Sequence, residues 1–226
     1  MLHLKNVTYH PPASATAILK SVSLSLAPQT LGLIIGPSGS GKSTLLEILA
    51  GLTGKTAGGL FWREQELTPL DLRDLGGLVF QFPERHFCGG TILEELRLGH
   101  PEVGSERIRQ TLAEVGLEQL PLQTPPQSLS GGQQRRLALA VQLLRQPSLL
   151  LLDEPMAGLD WSMRKQLVTL LAKLKQHWTL VVVSHDAGEL SAIADSCWTL
   201  THGELRLVDS KTTTAEVQED FEVFSD

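Results

Sequence analysis

Long hydrophobic runs are missing from this 226-residue sequence: the longest, Leu137–Val141, has five residues. Roughly 18 are needed to cross a membrane, so no transmembrane segment is expected. The opening MLHLKNVTYH has no basic region leading into an apolar stretch, and no secretory signal is expected from it. Cysteine is scarce. Cys88 and Cys197 lie far apart and form no CxxC pair, a usage that predicts reduced thiols in a cytosol-like compartment rather than a disulfide framework. An excess of positive charge is lacking too: the net charge of −6 argues against a protein that grips nucleic acid through a broad basic face, and no direct nucleic-acid partner is expected. There is no internal repeat and no low-complexity tract. What is present, 42% hydrophobic and 19% charged residues, is ordinary for one well-buried globular domain.

The pattern of apolar residues changes along the chain. VTYH and SVSLSLA alternate polar and apolar residues, as half-buried antiparallel strands do. LGLIIG (31–36), LGGLVFQ (75–81), LLLLD (149–153) and TLVVVS (179–184) are short continuous apolar runs, the mark of strands buried on both faces. Helical spacing follows in STLLEILAGL (43–52), in much of 91–146, and in 162–176. The middle block is broken at His100–Pro101 and around Pro121, Pro125 and Pro126. SCWTLTHGELRLV closes the patterned region with two short strands around Gly203, and KTTTAEVQEDFEVFSD follows as an acidic, weakly patterned tail. Alternating buried strands and helices predict an α/β fold with a mostly parallel sheet covered on both faces. An antiparallel β subdomain comes first, and the helical block is inserted into the sheet.

Three short motifs carry chemistry. Gly36-Pro37-Ser38-Gly39-Ser40-Gly41-Lys42-Ser43 fits G-x-x-x-x-G-K-[ST] between a strand and a helix. Its glycines let successive backbone N–H groups converge on a phosphate, and the helix start adds positive potential. Lys42 suits the β- and γ-phosphates, the Ser43 hydroxyl suits Mg²⁺, and Thr44 is placed for the α-phosphate. Chance produces such a match in roughly one chain of this length per hundred at average residue usage. At the end of the strand 149–153, Asp153 and Glu154 present two carboxylates where open α/β sheets bind ligands. Asp153 is a candidate Mg²⁺ ligand, and Glu154 a candidate to polarise an attacking water. Leu129-Ser130-Gly131-Gly132-Gln133 opens the helix GGQQRRLALAVQLL and forms a second phosphate-binding helix start.

LSGGQ, lying between a phosphate loop and Asp-Glu-Pro, resembles the signature motif of the ABC ATPases over nearly the whole chain. The resemblance implies a P-loop NTPase core spanning residues 1–209, with a helical insertion over about 85–145 and a separate tail at 210–226. It implies ATP and Mg²⁺ as ligands and ATP hydrolysis as the activity. By the same resemblance Gln81 is the Q-loop glutamine, near Mg²⁺ and at the root of the insertion. Ala157-Gly158-Leu159-Asp160 is the D-loop, His185 the switch histidine, and Tyr9 the aromatic that stacks on adenine. Two such domains are expected to meet head to tail, so that each ATP lies between one chain's phosphate loop and its partner's Ser130–Gln133. The partner is a second copy or a close relative.

Phe80-Gln81-Phe82-Pro83-Glu84 is similar to the corresponding segment of energy-coupling-factor and cobalt/nickel import ATPases. It departs from that pattern at His86, where glutamine is usual, and Phe87 falls one position early; the longer C-terminal extension of many such subunits is not seen. This branch implies a peripheral subunit on the cytoplasmic or organelle-interior face of a membrane. The groove beside Gln81 would engage transmembrane subunits, and the cargo would be a vitamin or a metal ion. A soluble ABC ATPase acting on DNA or ribosomes is the alternative, although such proteins generally carry a coiled-coil insertion or tandem domains. A P-loop kinase would need neither LSGGQ nor a switch histidine. His86 and Cys88 have too few companions for a metal site, and Arg135 and Arg136 are expected at the surface or an interface.

Overall fold

Ten strands and six helices alternate in a computed structural model that describes residues 1–12, 14 and 16–208. The tail expected at 210–226 lies outside the described residues. Strands β1 (Leu2–Tyr9) and β2 (Leu19–Leu26) pair antiparallel, and β3 (Leu31–Ile35) leads into helix α1 (Lys42–Leu49). Then follow β4 (Ala57–Trp62), β5 (Gln65–Glu66), α2 (Pro69–Leu75) and β6 (Gly76–Val79). Helices α3 (Ile92–Arg97), α4 (Ser105–Glu114) and α5 (Gly131–Leu144) come between β6 and β7 (Leu149–Asp153). The chain continues through α6 (Trp161–Leu174), β8 (Thr179–Ser184), β9 (Ser196–Thr201) and β10 (Glu204–Val208).

Two sheets result. The first is antiparallel, in the order β2-β1-β4-β5. The second, β10-β9-β3-β8-β7-β6, is parallel except for β10. The continuous apolar runs are explained by where each side of this second sheet points. Leu31, Leu33 and Ile35, with Leu150, Leu152, Leu180 and Val182, enter a core shared with α3–α6. Ile34, Leu149, Leu151, Val181 and Val183 enter a second core with α1 and the antiparallel sheet. Strand side chains alternate faces, so a strand with a core on each side must be apolar at every position.

One stretch differs from its sequence pattern. LGGLVFQ predicts a strand from Leu75, whereas Leu75 ends α2 and the strand covers only Gly76–Val79. Helix α2 starts from a capping box: the Thr68 hydroxyl accepts from the Asp71 N–H, the Asp71 carboxylate accepts from the Thr68 N–H, and Pro69 opens the first turn.

Both cysteines are free thiols; Cys88 is exposed and Cys197 is buried in the helical-side core. Burial pushes the Cys197 thiol up to about 11, so little reactive thiolate is present at neutral pH. A thiol-disulfide reagent is expected to titrate one cysteine in the native chain and two after denaturation. Two fast-reacting native thiols would contradict this packing.

Candidate ATP site

The site collects at one edge of the parallel sheet because the strand registers end together. Ile35 lies opposite Ser184, and Asp153 opposite Val183. The residues that follow, Gly36, Glu154 and His185, therefore emerge side by side. Val79 lies opposite Leu152, which carries the exposed loop residue Gln81 to the same edge. This is the end of an open α/β sheet where the loops, freed from pairing, converge on ligands.

Gly36 has no room for a side chain: a Cβ there would sit 2.2 Å from the carbonyl oxygen of Leu200. Gly41 turns the loop into α1 with φ of 104°, a conformation that favours glycine. Pro37, Ser38 and Gly39 are exposed along the rim, and Ser43 and Thr44 lie in the first turn of α1. Ser40 has a buried hydroxyl with no hydrogen-bond partner among the described residues. The Lys42 ammonium turns back into the loop, donating to the carbonyls of Gly36 (2.6 Å) and Pro37 (3.0 Å), with Glu154 at 3.7 Å. Burial lowers its pKa, and the nearby Glu154 and Asp153 carboxylates oppose that shift.

Glu154 departs from ordinary backbone geometry. Its φ is +44°, uncommon for any residue but glycine. The bend points its carboxylate at His185, whose Nδ1 lies 2.8 Å from one oxygen; the Ser184 hydroxyl donates to the same oxygen at 3.4 Å. Asp153, one residue earlier, faces Ser43 and accepts a hydrogen bond from it. Its Oδ1 is buried and has no partner among the described residues. Burial raises the Asp153 pKa; Glu154 and Glu47 act in the same direction, while Ser43 and Lys42 oppose them. A carboxylate oxygen that is buried, unpaired and beside a hydroxyl suits a hard divalent cation, directly or through water.

Tyr9, at the end of β1, lies opposite Leu19. A Cβ on Gly41 would come within 2.9 Å of the Leu19 side chain, so the residue paired with Tyr9 lies against the phosphate loop. Ser130 and Asp160 are elsewhere. Ser130 caps α5: its hydroxyl accepts from the Gln133 N–H, and the Gln133 side chain accepts from the Ser130 N–H. Gly131 is exposed on the first turn of this helix, and Gly132 behind it is buried against Met163. Asp160 caps α6 by accepting from the Met163 N–H at 2.8 Å. Among the described residues no hydrogen bond or ion pair joins Ser130–Gln133 or Asp160 to Gly36–Thr44.

Arg135 corrects the sequence reading. It is 4% exposed rather than superficial, and it donates to the carbonyls of Glu154 (3.3 Å) and Ala157 (3.0 Å). Arg136 is half-buried and spans from Gly132 and Gly116 to Gln166 on α6.

A family model described as ABC transporter matches residues 19–157. ABC transporter I family member 11, chloroplastic, of Arabidopsis thaliana is 42% identical over 221 residues, covering 89% of this chain and 78% of its own length. The energy-coupling factor transporter ATP-binding protein EcfA2 of Streptococcus pyogenes is 35% identical over 223 residues, covering 91% and 80%. The structure of cbiO1 from Clostridium perfringens, described as part of the ABC transporter complex cbiONQ, superposes with a TM-score of 0.86 at 25% identity, covering 98% of this chain and 92% of that one. Matches of this extent mean that the chain belongs to the ABC transporter family as an ATP-binding, ATP-hydrolysing subunit.

Proposed function

We propose that the chain powers an importer of the energy-coupling-factor kind, carrying a vitamin or a metal ion, and that it works as one half of an ATP-sandwiching pair. The observation that supports the pairing is that, among the described residues, no hydrogen bond or ion pair joins Ser130–Gln133 to the phosphate loop of the same chain. ATP held by Gly36–Thr44 would be closed over by the partner's copy of the α5 start, with Asp160 near the seam and Tyr9 against the adenine. The importer reading is supported by the names of EcfA2 and cbiO1 and by the Phe80–Glu84 segment.

In this reading the backbone N–H groups of the phosphate loop and Lys42 bind the β- and γ-phosphates. Lys42 exchanges its carbonyl partners for phosphate oxygens, a stronger charge-assisted pairing. Ser43 and Asp153, with Gln81 from the neighbouring strand end, would hold Mg²⁺. The cation, when bound, neutralises charge between the β- and γ-phosphates. Glu154 polarises the attacking water, and His185 keeps the carboxylate aimed while facing the γ-phosphate side.

Asp153 supplies a stability test of the metal reading. Its folded pKa is raised, so ionising it costs more in the folded than in the unfolded chain. That cost is absent below the unfolded value of 3.8 and develops as pH rises from there through the raised folded value. Asp153→Asn is expected to raise the Tm of the nucleotide-free protein, by about 2–4 °C per kcal/mol relieved at this chain size. Added Mg²⁺·ATP should stabilise the wild type more than the variant. A variant that melts lower and still gains fully from Mg²⁺·ATP would remove Asp153 from the metal set.

No helix among the described residues is long and apolar enough to cross a membrane, and in this reading the membrane component is a separate subunit. A groove of about 130 Å³, lined by Phe80, Pro83, Phe87 and Val141 together with the polar Glu95 and Gln142, opens next to the loop that carries Gln81. His86 stacks on Phe80 at its mouth, 4.9 Å between ring centroids. This is the surface offered to a transmembrane subunit, on the cytoplasmic or organelle-interior side. The test is purification of the tagged full chain from solubilised native membranes, with partners identified by mass spectrometry. Recovery of a multi-span protein supports the importer. Recovery of ribosomal or DNA-associated proteins alone would leave the ATPase standing and overturn the transport reading.

A further inference from the structure

We infer that Arg135 is a positioning residue for hydrolysis, fixing from the signature helix the backbone bend that aims Glu154. The inference rests on Glu154 being the residue that polarises water.

Glu154 adopts a left-handed backbone conformation (φ +44°), and such conformations persist only where the surroundings over-determine them. The Glu154 N–H donates to the Val183 carbonyl at 3.0 Å, which ties one side of the bend to β8. On the other side, the Glu154 carbonyl accepts from the Ala157 N–H at 3.0 Å, closing the turn Glu154-Pro155-Met156-Ala157. Among the described residues, Arg135 is the side chain seen to donate to the carbonyls of that turn: it reaches the Glu154 carbonyl and the Ala157 carbonyl at once, one nitrogen to each. A guanidinium is a rigid planar fork, so two bonds from it set the spacing and direction of two acceptors together.

Arginine is rarely buried this deeply, and surface solubility does not account for a residue 4% exposed. Arg135 also belongs to the helix that begins at Ser130, with Gly132 three residues before it on the same face. The helix start offered to a partner's nucleotide and the bend that aims Glu154 are therefore joined through one side chain. Displacing a reacting group by about 1 Å can cost on the order of 10²-fold in rate, so slackening this turn should fall on the chemical step.

The test is steady-state and single-turnover ATP hydrolysis by the full chain as wild type, R135K, R135M, E154Q and R135M/E154Q, with nucleotide binding and Tm measured in parallel. R135M is expected to lower kcat about 10- to 100-fold while KM stays within about threefold. R135K, whose ammonium can keep a carbonyl contact without the fork, should fall between R135M and wild type. In the E154Q background, R135M should add little further loss, because its effect passes through the carboxylate already removed. If R135M does not fold, R135K carries the same reading through its split between kcat and KM. Wild-type kcat in a folded R135M or R135K with a lowered Tm would make the contact purely structural and overturn the inference; so would full additivity with E154Q. Should E154Q itself turn over normally, the base assignment fails, independently of what Arg135 does.

Discussion

Replacing Glu154 with glutamine is expected to leave ATP bound and uncut. The amide keeps the size of the carboxylate and can still meet His185, but it cannot accept a proton from water. General-base contributions run on the order of 10²–10⁴-fold, and turnover should fall by that much while ATP affinity changes little. None of the contacts made by the Lys42 ammonium to Gly36 and Pro37 depends on the carboxylate, so the phosphate loop should stay intact. A pair of chains closed over ATP and unable to hydrolyse it should accumulate. Size-exclusion chromatography of the variant with Mg²⁺·ATP should show a dimer that the wild type forms only transiently. Undiminished turnover would take Glu154 out of the mechanism; lost ATP binding would mean that the carboxylate shapes the loop instead.

His185→Ala should give the second largest effect, a loss on the order of 10²-fold in kcat with ATP binding retained. An ionised carboxylate has only acceptors, so in the pair with Glu154 the imidazole Nδ1 is the donor. That bond of 2.8 Å is the shortest of the contacts to the Glu154 side chain; Ser184 at 3.4 Å and Lys42 at 3.7 Å are weaker restraints. Without His185 the carboxylate is left to these two, and Lys42 is the residue the phosphates would draw away. The His185 side chain is itself 61% exposed, so its removal opens no core cavity and Tm should hold within about 1–2 °C, as for surface substitutions of this kind. Rate loss with an unchanged melting temperature would separate this chemical role from damage to the fold. Wild-type turnover would remove His185 from the site.

The strand-to-helix turn at 36–43, the acids at the end of β7 and the start of α5 were all legible as local structure, because each is a contiguous string whose spacing is fixed by a strand end or a helix start. The buried strands were legible for a related reason: a strand with a core on both faces leaves no polar position to break the run. The limits of α2 were harder to read. Leu75 is apolar and adjoins Gly76-Gly77-Leu78-Val79, so hydrophobicity alone runs through the junction, and only the Thr68–Asp71 capping pair marks a helix before it. Arg135 was illegible for a different reason. Its acceptors are backbone carbonyls of Glu154 and Ala157, which have no signature in residue type, and an arginine on an amphipathic helix looks solvated until the turn beneath it is known. The bend at Glu154 is likewise a property of φ, not of the residue's identity.

The division of β3, β7 and β8 between two cores restricts how the chain can vary in length. Deleting one leucine from Leu149–Leu152 would not merely shorten a strand. Every residue on one side of the gap would change face, so the row meant for α1 and the antiparallel sheet would be handed to the helices, and the reverse. The acids would move with it: Glu154 would take the place of Asp153 beside Ser43, and Asp153 would take that of Leu152, facing the helical core. Fold and chemistry are thus keyed to the same odd-even count. Insertions and deletions should be accepted in the surface turns, such as the one before Ser105, and rejected in the strands, where a one-residue frameshift of structure costs both cores and the placement of the two carboxylates.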